Sequence, residues 1–278
     1  MERRQRGLLR QPLHPLLGAG RLRGATDLLP ARSRAAPYEA GGERPSFSRC
    51  LSEDGSQKRA VAKGARRPKS SFAARTEPFC VIDALCATGR SLDILKEARL
   101  VAAHDALRCN LEASAAAAPV AELLARMSQR DLANPRLFQS AMRVLDAMDG
   151  ADDSHRAALS AAELLKILAF SGLRPSLEVC VGCGEPVALV EGARIPFSAA
   201  GGGVLCESCR GLDESVLVDA GTLCWAQYFL TTPFDAIAEG PADLTGTFAV
   251  LHLVQDLVRA HIGSSLKSLE LLFTCGLF

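Results

Sequence analysis

From residue 101 onward apolar positions recur at the three-to-four spacing of helices with one buried face. Val101, Leu107 and Leu111 begin the pattern, and Val120, Leu123, Leu124 and Met127 continue it. Asn134-Pro135 predicts a helix start with proline in the first turn, running through Leu137, Phe138, Ala141, Val144, Leu145 and Met148 to a stop at Gly150. Asp153-Ser154 is expected to cap the next helix, whose Leu159, Leu164, Leu165, Leu168 and Phe170 form one apolar face before Gly172 and Pro175. The period breaks over residues 176–212 and resumes at Val216, Thr222 to Phe229 and Leu244 to Ile262, so the intervening segment reads as an insertion into a helical domain spanning 100–278.

Before residue 100 the pattern changes from helical to strand-like. Glu53-Asp54-Gly55-Ser56 reads as a hairpin turn and Lys58 to Lys63 as a strand, followed by a loop through Gly64 and Pro68. Phe79 to Cys86 reads as a second strand turning at Thr88-Gly89-Arg90, and Leu92 to Leu100 as a strand or a helix start. Short strands at this spacing predict a small barrel over residues 47–99. The fold class is therefore α+β: an OB-fold-like β-barrel followed by an α-helical domain. Residues 1–46 hold nine arginines, no lysine and five prolines, with no sustained period, and read as a disordered basic tail. A transit peptide and a wrongly assigned start or reading frame are the alternatives for that stretch.

The 278 residues carry 32 Lys and Arg against 31 Asp and Glu, a net charge of +1 that says little about partners until the charges are placed. No run of eighteen apolar residues exists, which argues against a membrane span, and ten cysteines without a framework pattern suit a reducing, cytoplasmic setting.

Cysteine spacing adds the sharpest chemistry. Cys180-Val-Gly-Cys183 and, twenty-two residues on, Cys206-Glu-Ser-Cys209 are two knuckles that can converge four thiolates on one structural Zn2+ per chain, a zinc ribbon inserted at 176–212. Four protein ligands leave no open position for water, so the metal is expected to hold a fold and do no chemistry. The deaminase signature does not apply, since no His-x-Glu occurs and neither knuckle follows proline. The histidines at 14, 104, 155, 252 and 261 form no triad, Gly201-Gly202-Gly203 lacks the lysine of a phosphate loop, and no enzyme is predicted.

A second concentration is electrostatic. Lys58, Arg59, Lys63, Arg66, Arg67, Lys69 and Arg75 fall within eighteen residues without one acidic residue, a pattern able to track a nucleic-acid backbone. A solvated basic face would look the same by charge alone. With only Phe72 and Phe79 nearby, base stacking is a minor contribution, so contacts should be to phosphates and largely sequence-independent.

The stretch from Arg59 to Phe79, the later Leu164 to Pro175, the four cysteines with Phe197-Ser198 and Gly202-Gly203-Val204-Leu205, and the closing Leu266-Lys267-Ser268-Leu269 together resemble the RecO family of bacterial recombination mediators, over about Phe47 to Leu272. The resemblance implies a protein that binds single- and double-stranded DNA and anneals complementary strands. It further implies work with RecR and RecF to load RecA on DNA coated by single-strand binding protein, in the cytoplasm at the nucleoid. It also places Lys58 to Arg75 on the DNA-contacting surface. Members begin with strands that start the barrel, whereas residues 1–46 show no such pattern, so either the true amino terminus differs or the barrel is incomplete. An adaptor or an RNA-binding zinc-ribbon protein would use the same fold elements.

Overall fold

The computed structural model describes residues 19–26, 46–62, 77–87, 92–211 and 213–275. Five strands form a ring: β1 (Ala19–Thr26), β2 (Ser46–Ser52), β3 (Gln57–Ala62), β4 (Val81–Ala87) and β5 (Asp93–Ala102), in the order β1-β2-β3-β5-β4 and closing back to β1. All neighbours are antiparallel except β3 and β5, which pair in parallel at Ala60 with Asp93 and Val61 with Ile94.

The first strand corrects the expectation of an unstructured tail and an incomplete barrel. β1 lies inside residues 1–46 and pairs with β4 over seven positions, from Ala19 with Ala87 to Ala25 with Val81. The remainder of that segment lies outside the described residues. The sequence Ala-Gly-Arg-Leu-Arg-Gly-Ala-Thr contains no β-branched residue before Thr26, so it lacks the usual strand signature, and backbone pairing along β4 supplies what propensity does not. Strand pairing thus carries the barrel from Ala19 to Ala102 in place of 47–99. Along β4 every second residue, Ile82, Ala84 and Cys86, faces a small core completed by Ala60, Ala62, Leu95 and Ala98.

The helical part begins with α1 (Asp105–Cys109), α2 (Leu111–Met127), α3 (Pro135–Gly150) and α4 (Asp153–Phe170), and ends with α5 (Ala220–Thr231), α6 (Phe234–Ala238), α7 (Leu244–Ile262) and α8 (Lys267–Cys275). Asn110 caps α2 by accepting from the Ala113 amide at 2.8 Å. The α4 cap sits one residue before the expected pair: Asp152 accepts from the His155 amide at 3.0 Å. α4 is buried from Ala157 to Leu165 and again at Ile167 and Leu168, and it contacts α2, α3, α5, α6 and α7, as a helix apolar on most sides must. Among the described residues no helix is long and apolar enough to cross a membrane.

Between α4 and α5 lies a three-stranded sheet of β6 (Arg194–Ser198), β7 (Gly203–Val204) and β8 (Val216–Asp219), ordered β7-β6-β8. Val216, read above as the return of helical periodicity, instead opens β8, opposite Phe197.

The barrel joins the helices through buried polar contacts. At the β2–β3 turn Gly55, with φ of 77°, packs so closely that a Cβ would come within 1.8 Å of the Asn134 carbonyl oxygen. Gln57 donates from its backbone to the Gln129 carbonyl at 2.9 Å and from its side chain to the Ala125 carbonyl at 2.8 Å. The His104 ring spans the seam, with Nδ1 2.7 Å from the Phe79 carbonyl oxygen and Nε2 2.9 Å from the Asp146 carboxylate. Phe79 and His104 both adopt left-handed backbone, a strain of about 1–3 kcal/mol each that these contacts hold in place.

Candidate metal centre and nucleic-acid interface

The two cysteine knuckles come together. The Sγ atoms of Cys180, Cys183, Cys206 and Cys209 all lie within 4.8 Å of one another, and those of Cys183 and Cys206 are 3.6 Å apart. Four sulfurs at about 2.3 Å from one tetrahedral ion stand about 3.8 Å from each other, so the spacing and the all-thiol donor set fit zinc. The first knuckle is a tight turn, in which Val179 bridges to Pro186, Gly184 takes φ of 79° and Gly182 leaves only 3.1 Å between a would-be Cβ and Cys209 Sγ; in the second the Cys209 amide donates to the Cys206 carbonyl at 3.0 Å. Backbone amides prepare the cluster for negative charge. The Cys206 amide donates to Cys180 Sγ at 3.2 Å, and this bond first, with those from Cys183 and Gly182, holds the Cys180 thiol down at about 6. Cys209 is pushed up to about 12, chiefly by sharing hydrogen bonds with Cys206 and Cys183, since four thiolates cannot coexist without a cation.

The predicted basic residues divide. Lys58 and Arg59 lie on β3, whereas Lys63, Arg66, Arg67, Lys69 and Arg75 lie outside the described residues. Arg59 is exposed and stands directly opposite Arg49 on β2, and among the described residues neither has a carboxylate partner. Like charges facing each other across a strand pair are destabilising, and a bound phosphate relieves that cost. Arg49 escaped the sequence reading because it lies nine residues before the basic run. Only the register of β2 against β3 brings it there. On β1, Arg21 and Arg23 occupy the register positions of Leu85 and Asp83, extending the same barrel strand order with cationic residues.

A third feature was not expected from the sequence, although Lys166 and Phe170 belong to the Leu164 to Pro175 stretch. A cleft of about 710 Å³ opens between α3, α4 and the α5–α6 corner, lined among others by Arg136, Arg143, Asp146, Lys166, Phe234 and Asp235. Lys166 Nζ donates to the Phe229 and Thr232 carbonyls at 3.0 and 2.7 Å, closing the C-terminal end of α5, and stands 4.2 Å over the Phe234 ring. Burial lowers Lys166 to about 8, and beneath it burial raises Glu163 to about 8, where Ser140 donates to it at 2.5 Å. The cleft therefore sets Arg136 and Arg143 among Asp146 and Asp235, with Lys166 at its floor.

Sequence comparison places these features in a family. A profile described as Recombination protein O N terminal matches residues 42–104, and one described as Recombination protein O C terminal matches 108–270. The DNA repair protein RecO of Bifidobacterium longum is 33% identical over 223 residues, covering 78% of this chain and 85% of the relative. That of Rubrobacter xylanophilus is 33% identical over 204 residues, 73% of this chain and 77% of the relative. That of Bifidobacterium adolescentis is 30% identical over 237 residues, 83% and 93% respectively. With most of its length matched in one order by both profiles, the chain belongs to the RecO family of DNA repair proteins.

Proposed function

We propose that this chain is a recombination mediator that binds single- and double-stranded DNA along the outer face of the barrel, which we read as an OB-fold, and anneals complementary strands there. The single observation that carries the reading is the uncompensated Arg49–Arg59 pair, in which Arg49 on β2 faces Arg59 of the lysine- and arginine-rich stretch 58–75. Arginines spaced along a rigid strand pair hold a phosphate backbone at fixed points while leaving bases outward for pairing, which is what annealing requires of a protein without catalytic groups. The ribbon's Cys180, Cys183, Cys206 and Cys209 would hold one Zn2+, whose chemistry there is structural. In this reading the protein acts in the cytoplasm at the nucleoid with RecR and RecF, and assists RecA loading on DNA coated by single-strand binding protein.

The test is fluorescence anisotropy with a single-stranded oligonucleotide over a salt series. Four or five phosphate contacts predict that log K falls with log salt at a slope of about −3 to −3.5. Joint charge reversal of Arg66, Arg67 and Lys69 abolishes this binding if the basic stretch grips DNA. An adaptor would show no binding in either form, and equal-length RNA competing better than DNA would favour an RNA-binding role.

A further inference from the structure

The chain crosses from barrel to helices once, over Ala103 and His104, between the end of β5 and the start of α1. His104 therefore sits at the crossing, and its side chain is 3% exposed. Both of its ring nitrogens meet oxygens that accept and do not donate. Nδ1 lies 2.7 Å from the Phe79 carbonyl oxygen and Nε2 lies 2.9 Å from the Asp146 carboxylate, whose side chain is 68% exposed. A neutral imidazole has one N–H and one lone pair, so it can serve only one of the two and sets lone pair against lone pair at the other. The geometry is that of an imidazolium donating twice. His155 repeats it inside the helical part, between Asp152 Oδ2 at 2.8 Å and the Gly240 carbonyl oxygen at 3.1 Å.

The charged groups of the elements that meet here are Asp146 and Asp149 of α3, Asp105 and Arg108 of α1, and Glu77 ahead of β4. Asp149 accepts from the Ala106 amide at 3.1 Å. Arg108 is taken up by Glu77 at 2.8 Å, Asp105 at 3.8 Å and the Cys80 sulfur at 3.1 Å, and burial pushes that thiol up, which keeps it uncharged. On its solvent side Asp146 lines the cleft with Arg143, Lys166 and Asp235. The seam between barrel and helices has a second anchor made of amides, where Gln57 holds the Gln129 and Ala125 carbonyls.

We propose that His104 is a proton-operated joint: as the imidazolium it ties the Phe79 carbonyl ahead of β4 to Asp146 of α3, and as the neutral ring it releases one of them. The bond to Phe79 links two residues in left-handed backbone, with φ of 64° and 45°, so its loss also frees strained chain at the crossing. The closed joint binds a proton that the open joint lacks. Acid therefore tightens the barrel on the helices, and the hold is lost as pH rises through the imidazole range of about 5 to 8. The Gln57 anchor has no proton to lose there, so only one side of the seam opens.

The test is NMR of the full chain without DNA, at about pH 6 and about pH 8.5. Proton–nitrogen spectra of the His104 ring show both nitrogens protonated at the lower pH and one at the higher. Amide protection at Cys80 and Leu107, whose N–H groups bond to Glu77 and His104, falls about tenfold or more across that range, while protection at Gln57 changes less than about twofold. Asp146→Asn removes the pH dependence and keeps the joint closed, because its side-chain amide can donate to a neutral Nε2. His104→Gln lowers protection at Cys80 and Leu107 at both pH values. Should circular dichroism show that variant misfolded, Asp146→Asn still decides, since its side chain is largely exposed. A ring with a single protonated nitrogen at the lower pH, protection that does not change with pH in the parent, or an Asp146→Asn variant that follows the parent would overturn the proposal.

Discussion

The barrel and the helical part solve the problem of a core in different ways. The helical core is built from leucines of several helices around α4, with Leu159, Leu164, Leu165 and Leu168 all fully buried. Among the described side chains the barrel's own cluster holds Ile82, Cys86 and Leu95 with four alanines, and Leu51 and Phe79 reach instead into the helical cluster. The described part of the barrel is held by backbone pairing around the ring and by its seam with α2 and α3.

The ribbon lies at the extreme of this contrast, since it has almost no core of its own and its metal is expected to supply the folding energy. Replacing Cys183 with Ser, or stripping the metal with a chelator, removes a contribution of about 10–16 kcal/mol and opens residues 176–219 to protease. Under the proposed function, DNA affinity should be unchanged. Metal analysis should find one zinc per chain before and little after, and a chelator-resistant ribbon would show that the thiols are not its staple.

Leu164→Ala is the next largest change, costing about 2–5 kcal/mol in urea unfolding because α4 is enclosed on most sides. It should lower the stability of both parts together, since the barrel leans on the same core. Gln57→Ala separates them: it removes a buried side-chain bond to the Ala125 carbonyl and costs about 1–3 kcal/mol. Amide exchange should then speed up in β2 and β3 more than in α4. Equal acceleration in both would mean that the barrel does not lean on this seam.

The smallest effect is one of pH and belongs to the helical part. The Gly240 carbonyl, then the Asp152 carboxylate, raise the His155 imidazole above its ordinary 6.5. The protonated ring is favoured in the folded state, so its contribution is complete below pH 6.5 and is lost as pH rises through the raised value. His155→Ala should flatten the urea midpoint between pH 6 and 8, and an unchanged profile would assign the dependence elsewhere.

The helices and the metal knuckles were legible because each rests on local spacing: proline at the first turn of α3, apolar faces at three and four, and Cys-x-x-Cys twice. What was not legible depends on pairing between distant segments. β1 has two glycines and two arginines in eight residues and becomes a strand only along β4, and the profile of the N-terminal part likewise begins at residue 42, beyond it. β8 resembles the start of a helix until Phe197 is set opposite Val216. Arg49 joins Arg59 through register, and Arg136 joins Lys166 through the packing of α3 on α4, neither of which is written in a window of neighbouring residues.

The most direct measurement is the salt dependence of single-stranded DNA binding for the parent chain and for the double variant Arg49→Gln, Arg59→Gln. If this cross-strand pair holds phosphates, the slope of log K against log salt becomes shallower by about 1.4, two contacts at about 0.7 each. An identical slope in the two proteins would contradict the account and take the barrel's β2–β3 face out of the DNA interface.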